Sequence, residues 1–163
     1  MRYGNVVGSR GSVIPFFKAR RELGSVPITD ERMTRFWITL EQGVDFVVQS
    51  LQRMHGGEVF VPKIPSMKIT DLASAIAPDC AQEIVGIRPG EKLHEVMVPA
   101  DESLNTLEFD RYYVIQPSFH FWDPAVHGSY EGEAGRKVDY GYEYRSDTND
   151  EWVTAEALAQ MID

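Results

Sequence analysis

Taken as a pattern of apolar and polar positions, the chain is clearest between residues 39 and 54. Leu40, Val44, Val47, Leu51 and Met54 recur at helical spacing and form one continuous apolar stripe, which predicts an amphipathic helix. Thr39 with Gln42 makes a capping-box pattern at its start, and Gly56 with Gly57 supplies a stop. Shorter elements surround it. Residues 2–7 read as a strand entering a glycine-containing loop, and 12–23 as a helix with Pro15 in its first turn, where proline is tolerated. Residues 25–29 and 58–62 read as strands, and 63–69 as an extended piece broken by Pro65. Residues 71–77 read as a short helix opened by Thr70 or Ser66 and stopped by Pro78. A strand over 83–87, a tight turn over 88–92 and a helix over 91–98 follow, then a strand pair at 106–110 and 112–117. Beyond Pro117 the pattern loosens into an irregular tail, closed by a small helix over 153–162. Strands alternating with helices predict an α/β fold. Yet only the first stretch and the strand near Val59 read as central strands, too few for a doubly wound sheet. The pattern reads as part of something larger.

Composition narrows the class. At 163 residues, 43% hydrophobic and 25% charged, the chain can build one ordinary core. A formal net charge of -9 argues against a nucleic-acid partner, which calls for a basic face. No apolar run is long enough to cross a bilayer and no signal-peptide pattern follows Met1, so no membrane partner is expected. Cys80 is the single cysteine, which excludes an intrachain disulfide and a cysteine-based zinc site and fits a reducing, cytoplasmic setting. A few arginines can still build a local positive pocket on an acidic protein, so their positions matter.

Gly4, Gly8 and Gly11 raise the question of a phosphate-binding loop. A dinucleotide fingerprint needs a full buried strand before its first glycine and an acid about twenty residues on; neither is present, and no Gly-Lys-Ser/Thr supports a P-loop. The simpler reading is a sharp turn after a strand, with the backbone near Asn5 and Val6 free to meet a ligand over the strand's C-terminal end. His94-Glu95 resembles half of a zincin motif, but Val98 stands where the second histidine belongs. His55, His120 and His127 are scattered, and no metal site is expected. Arg35 is different. It sits among Phe36, Trp37 and Ile38, where an unpaired charge is expensive. Either it pairs with Asp30 or Glu31, or its planar guanidinium clamps a phosphate. Arg88 and Glu91, on either side of the Pro89-Gly90 turn, pose the same choice: they pair with each other, or they hold a diphosphate and a hydroxyl-bearing ring.

These segments resemble the C-terminal half of the extended short-chain dehydrogenase/reductase family. "RYGNVVGSRGS" is similar to that family's Arg-Tyr-x-Asn strand end, "MTRFWIT" to its Arg-aromatic diphosphate segment, and "RPGEK" to its Arg-Pro-Gly-acid turn near the uridine. "KIPSMK" and "GIRPGEKLHEVM" narrow the resemblance to the family's inverting UDP-N-acetylglucosamine 4,6-dehydratases, of pseudaminic acid biosynthesis. The resemblance is densest over 2–98 and thin after about 117. It implies a Rossmann-type fold whose NADP-binding half precedes Arg2 and carries the catalytic residues, so that none are expected in this chain. Residues 1–117 would then be the end of the Rossmann sheet plus the substrate-binding region, and 118–163 the tail. The implied substrate contacts are Asn5, Arg10, Thr29, Arg35, Arg88 and Glu91, with Val6 near the nicotinamide of NADP. The implied partner is a UDP-sugar, and the implied assembly a homo-oligomer. A non-catalytic UDP-sugar binding module and a retaining dehydratase or epimerase relative stand as alternatives. If most of the sheet lies elsewhere, the 39–54 stripe and the first strand's edge should be uncovered.

Overall fold

The computed structural model describes residues 1–9, 12–119, 129–154, 157, 158 and 160. In chain order the elements are β1 (Asn5–Val6), α1 (Val13–Arg20), β2 (Ser25–Ile28), β3 (Thr34–Ile38), α2 (Leu40–Arg53), β4 (Val59–Pro62), β5 (Ser66–Lys68) and α3 (Ile69–Ile76). There follow β6 (Ala81–Ile84), β7 (Val96–Val98), β8 (Thr106–Glu108), β9 (Tyr112–Ile115), β10 (Ser129–Tyr130), β11 (Glu133–Ala134), β12 (Arg136–Lys137) and β13 (Tyr144–Arg145). The fold is α/β, with parallel and antiparallel pairings. It divides into two compact units, one formed by 1–3, 41–63 and 96–145, the other by 4–40, 64–95 and 146–163.

The second unit carries the elements of the candidate site. β3 is the centre of a three-stranded sheet, pairing parallel with β1 and antiparallel with β5, while β2 pairs parallel with β6. Alternation along β2 sends Val26 and Ile28 inward and leaves Ser25 and Pro27 half-buried. Along α3, Ile69, Leu72, Ala73 and Ile76 fall on one face and are all buried. They join Ile14 and Phe17 of α1, Met33, Trp37 and Met67 in one core. Pro15 lies in the first turn of α1, as expected.

β1 is shorter than the six residues expected and is an edge, paired only with β3 among the described strands. Gly4, just before it, is required by packing: a Cβ there would lie 2.6 Å from both Cβ and the carbonyl oxygen of Phe36. The helix expected over 71–77 begins at Ile69, with Lys68 as its cap, so neither Thr70 nor Ser66 opens it. The strand expected over 83–87 instead runs Ala81–Ile84, with all four residues exposed. The helix expected over 91–98 does not form. The Leu93 carbonyl accepts the Thr34 amide, and Arg35 donates to the carbonyls of Lys92 and Leu93. Carbonyls engaged by β3 are diverted from a helical ladder, and the segment ends in β7.

In the first unit, β12, β8, β9 and β4 form an antiparallel sheet in that order. Phe60, Leu107, Phe109, Tyr112, Val114 and Tyr130 build its core, and Phe46 of α2 packs against it. α2 turns Gly43 and Ser50 inward, while Leu40, Val44, Val47, Val48 and Leu51 are exposed, Leu51 at 64%. The stripe that predicts this helix thus faces outward. The tail is more regular than expected, contributing β10 to β13. The final helix lies partly outside the described residues; Leu158 is helical and buried.

Candidate functional site

The parallel pairing of β1 with β3 sets Asn5 opposite Trp37 and Val6 opposite Ile38. Alternation along β3 points Thr34, Phe36 and Ile38 one way and Arg35 and Trp37 the other. On the Arg35–Trp37 side lies a cavity of about 540 Å³ whose wall includes Asn5, Val6, Thr29, Arg35, Arg88 and Glu91. Six residues singled out in the sequence, from four separate stretches of chain, therefore line one space. The seventh, Arg10, lies outside the described residues.

The two arginines are held differently. Arg35 Nη1 donates to the carbonyls of Thr34 (2.7 Å) and Leu93 (3.1 Å), and Nη2 to that of Lys92 (2.8 Å). Its Nε lies 3.5 Å from Glu95. The ion-pair partner is thus Glu95; Asp30 is taken by Arg32. Burial pulls the Arg35 guanidinium below its ordinary pKa, against the opposing effect of Glu95 and then Glu91. It remains a cation at any physiological pH. Three of its five N–H groups are spent on carbonyls and the Nε–H faces Glu95, leaving one for anything in the cavity. Arg88 is exposed, and its guanidinium makes no hydrogen bond or ion pair among the described residues. Its backbone N–H, not its side chain, reaches Glu91, at 3.3 Å. Thr29 Oγ1 donates to the other Glu91 oxygen at 3.4 Å. Glu91 is therefore oriented by neutral donors while Arg88 stays available.

Behind this wall a polar cluster fixes the 91–95 segment. Thr34 Oγ1 lies 2.8 Å from His94 Nδ1 and 2.7 Å from Ser146 Oγ, and Ser146 Oγ accepts the Glu95 amide at 2.9 Å. The His94 ring is 3.7 Å from Asp147. No group of three or more His, Cys, Asp or Glu suited to a metal occurs among the described residues. Ser9, Ser12, Phe16 and Trp37 also line the cavity and were not singled out from the sequence. Trp37 was findable there, being two residues from Arg35 on one strand; Ser12 carried no such signal.

The sequence profile described as polysaccharide biosynthesis protein matches residues 1–117. The chain belongs to this family. Among relatives, the UDP-N-acetylglucosamine 4,6-dehydratase (inverting) of Campylobacter jejuni is 56% identical over 99% of this chain and 49% of its own length. The UDP-glucose 4-epimerase of Rickettsia conorii is 41% identical over 70% of this chain and 35% of its own length. The X-ray structure of Pen from Bacillus thuringiensis covers 99% of this chain and 48% of its own, at 32% identity and a TM-score of 0.81. The chain thus spans about half the length of this dehydratase and of Pen, and its fold is shared with Pen along nearly all of it.

Proposed function

We propose that this chain supplies the substrate side of an NADP-dependent UDP-N-acetylglucosamine 4,6-dehydratase with inversion at C5, acting in pseudaminic acid biosynthesis. The observation that carries the reading is the convergence of Asn5, Val6, Thr29, Arg35, Arg88 and Glu91 on one cavity. The higher identity to the dehydratase than to the epimerase supports this reaction over its nearest competitor. Arg88, whose guanidinium is unpaired among the described residues, is a cation for the diphosphate, charge-assisted contact being the strong kind. Glu91, steadied by Thr29 and the Arg88 amide, is the acceptor for hydroxyls of the uridine. Arg35 adds at most its one remaining N–H group while tying β3 to the 91–95 segment. NADP+ supplies the hydride acceptor when bound. Val6 fits a place beside it: half-buried, on an edge strand, and already on the cavity wall. The base and the cofactor's cradle belong to the family's other half, and the complete enzyme is a cytoplasmic homo-oligomer.

Calorimetric titration of the chain with UDP-N-acetylglucosamine tests this. Saturable binding is expected, weakened about tenfold or more by Arg88→Ala. Incubation with NADP+ and substrate should yield no keto-sugar. Absence of nucleotide-sugar binding overturns the assignment of the site, and turnover by the chain alone overturns the division of labour.

A further inference from the structure

Two buried polar atoms of the cavity wall have no hydrogen-bond partner among the described residues: the indole N–H of Trp37 and the hydroxyl of Ser12. Trp37 is only 3% exposed, in the middle strand of its sheet. Buried polar groups are nearly always paired, so two orphans on one wall need a reason. Ser12 sharpens the point. It occupies the N-cap of α1 with extended backbone, the position where a serine hydroxyl ordinarily closes the first turn, yet makes no capping bond. That first turn contains no acidic residue. The helix-start amides, the Ser12 hydroxyl and the Trp37 N–H therefore make a patch rich in donors and poor in acceptors.

We propose that Trp37 and Ser12 are ligand-reading donors, held for an acceptor oxygen of the nucleotide sugar bound in this cavity. The inference rests on the UDP-sugar reading above and deepens it. Trp37 is the register partner of Asn5, the residue assigned to the sugar, so the expected acceptor is on the N-acetylhexosaminyl group rather than on the diphosphate. An indole nitrogen only donates; it suits a carbonyl such as that of the acetamido group. Both atoms are sealed from solvent in this wall, so contact requires it to part at Ser12 and over the Trp37 N–H; the Ser12 hydroxyl moves between staggered rotamers at little cost.

The test labels the tryptophan indole nitrogens of the full chain with 15N and titrates it with UDP-N-acetylglucosamine, UDP-glucose and UDP. On saturation with UDP-N-acetylglucosamine the Trp37 N–H resonance should move downfield, with a smaller shift or none for the other two. Trp37→Phe keeps an aromatic side chain, smaller than the indole, and deletes the donor; it should weaken UDP-N-acetylglucosamine about fivefold to tenfold and leave UDP unchanged. Should Trp37→Phe fail to fold, Ser12→Ala carries the same comparison; its hydroxyl makes no bond among the described residues, so the variant should melt with the wild type while losing about threefold in affinity. An equal shift and equal loss with UDP would support the donors and place their acceptor on the diphosphate. Saturable binding of UDP-N-acetylglucosamine that leaves the indole resonance and both variants' affinities unmoved overturns the inference alone. No binding of any nucleotide overturns the UDP-sugar reading and this inference together.

Discussion

Arg35→Met removes the guanidinium, keeps most of the stem, and separates the two jobs an arginine can do in this cavity. Three carbonyl bonds and a looser approach to Glu95 are lost. Hydrogen bonds to charged donors are worth roughly 1.5–3 kcal/mol each, so the gross figure would be several kcal/mol. Much is recovered. The Leu93 carbonyl keeps the Thr34 amide, the Thr34 carbonyl keeps the Ser146 hydroxyl, and the Glu95 side chain, 35% exposed, regains water. Burial of the guanidinium also costs free energy, which its removal returns. The net loss should be about 2–3 kcal/mol. With a urea slope of about 1–3 kcal/mol/M, that is a fall of roughly 0.7–3 M in the unfolding midpoint. Arg88→Ala is the counterpart: exposed, and unpaired among the described residues, it should change stability by less than about 0.5 kcal/mol while carrying the larger loss in UDP affinity. An unchanged midpoint for Arg35→Met, or a destabilised Arg88→Ala that binds UDP normally, would refute this division of roles.

Three further outcomes are expected. Gly4→Ala drives a Cβ against the Phe36 backbone; overpacking of this kind costs about 1–3 kcal/mol, and the melting temperature and UDP affinity should fall together because Asn5 and Val6 shift with β1. The Arg32 guanidinium, then the Arg32 backbone N–H, lower the Asp30 carboxyl from its ordinary 3.8 to about 2. That contribution is complete above 3.8 and is lost as pH falls through about 2, so carboxyl NMR should show the low titration in wild type and its return toward 3.8 in Arg32→Ala. Val48→Lys with Leu51→Lys should leave the unfolding free energy from urea titration within about 0.5 kcal/mol of wild type yet reduce binding of a hydrophobic dye, since both side chains are exposed; a large destabilisation would show that α2 buries its stripe after all.

Local signals gave the sequence reading its successes. α2, the 106–117 strand pair and α1 with its early proline all follow from periodicity and turn chemistry within a few residues. What escaped depends on partners far along the chain. Nothing near Glu91 says that its neighbours' carbonyls will be engaged from β3, nearly sixty residues earlier, so a helix was the natural expectation there. For the same reason Asp30 and Glu31 were the obvious partners for Arg35, when Glu95 is the actual one. The site residues were reachable through family-like phrases, but the difference between a spent Arg35 and a free Arg88 appears only once hydrogen bonds can be counted.

The outward stripe of α2 bears on how long the chain survives in a cell. A patch of this kind makes self-association second order in concentration, so the same sequence can be well behaved at low expression and lost at high expression with no change in its folding free energy. It is also the sort of surface that chaperones and proteases sample continuously. Abundance then depends on how quickly Leu40, Val44, Val48 and Leu51 are covered after synthesis, and a substitution there that leaves folding and the sugar site untouched can still alter cellular activity through protein lifetime.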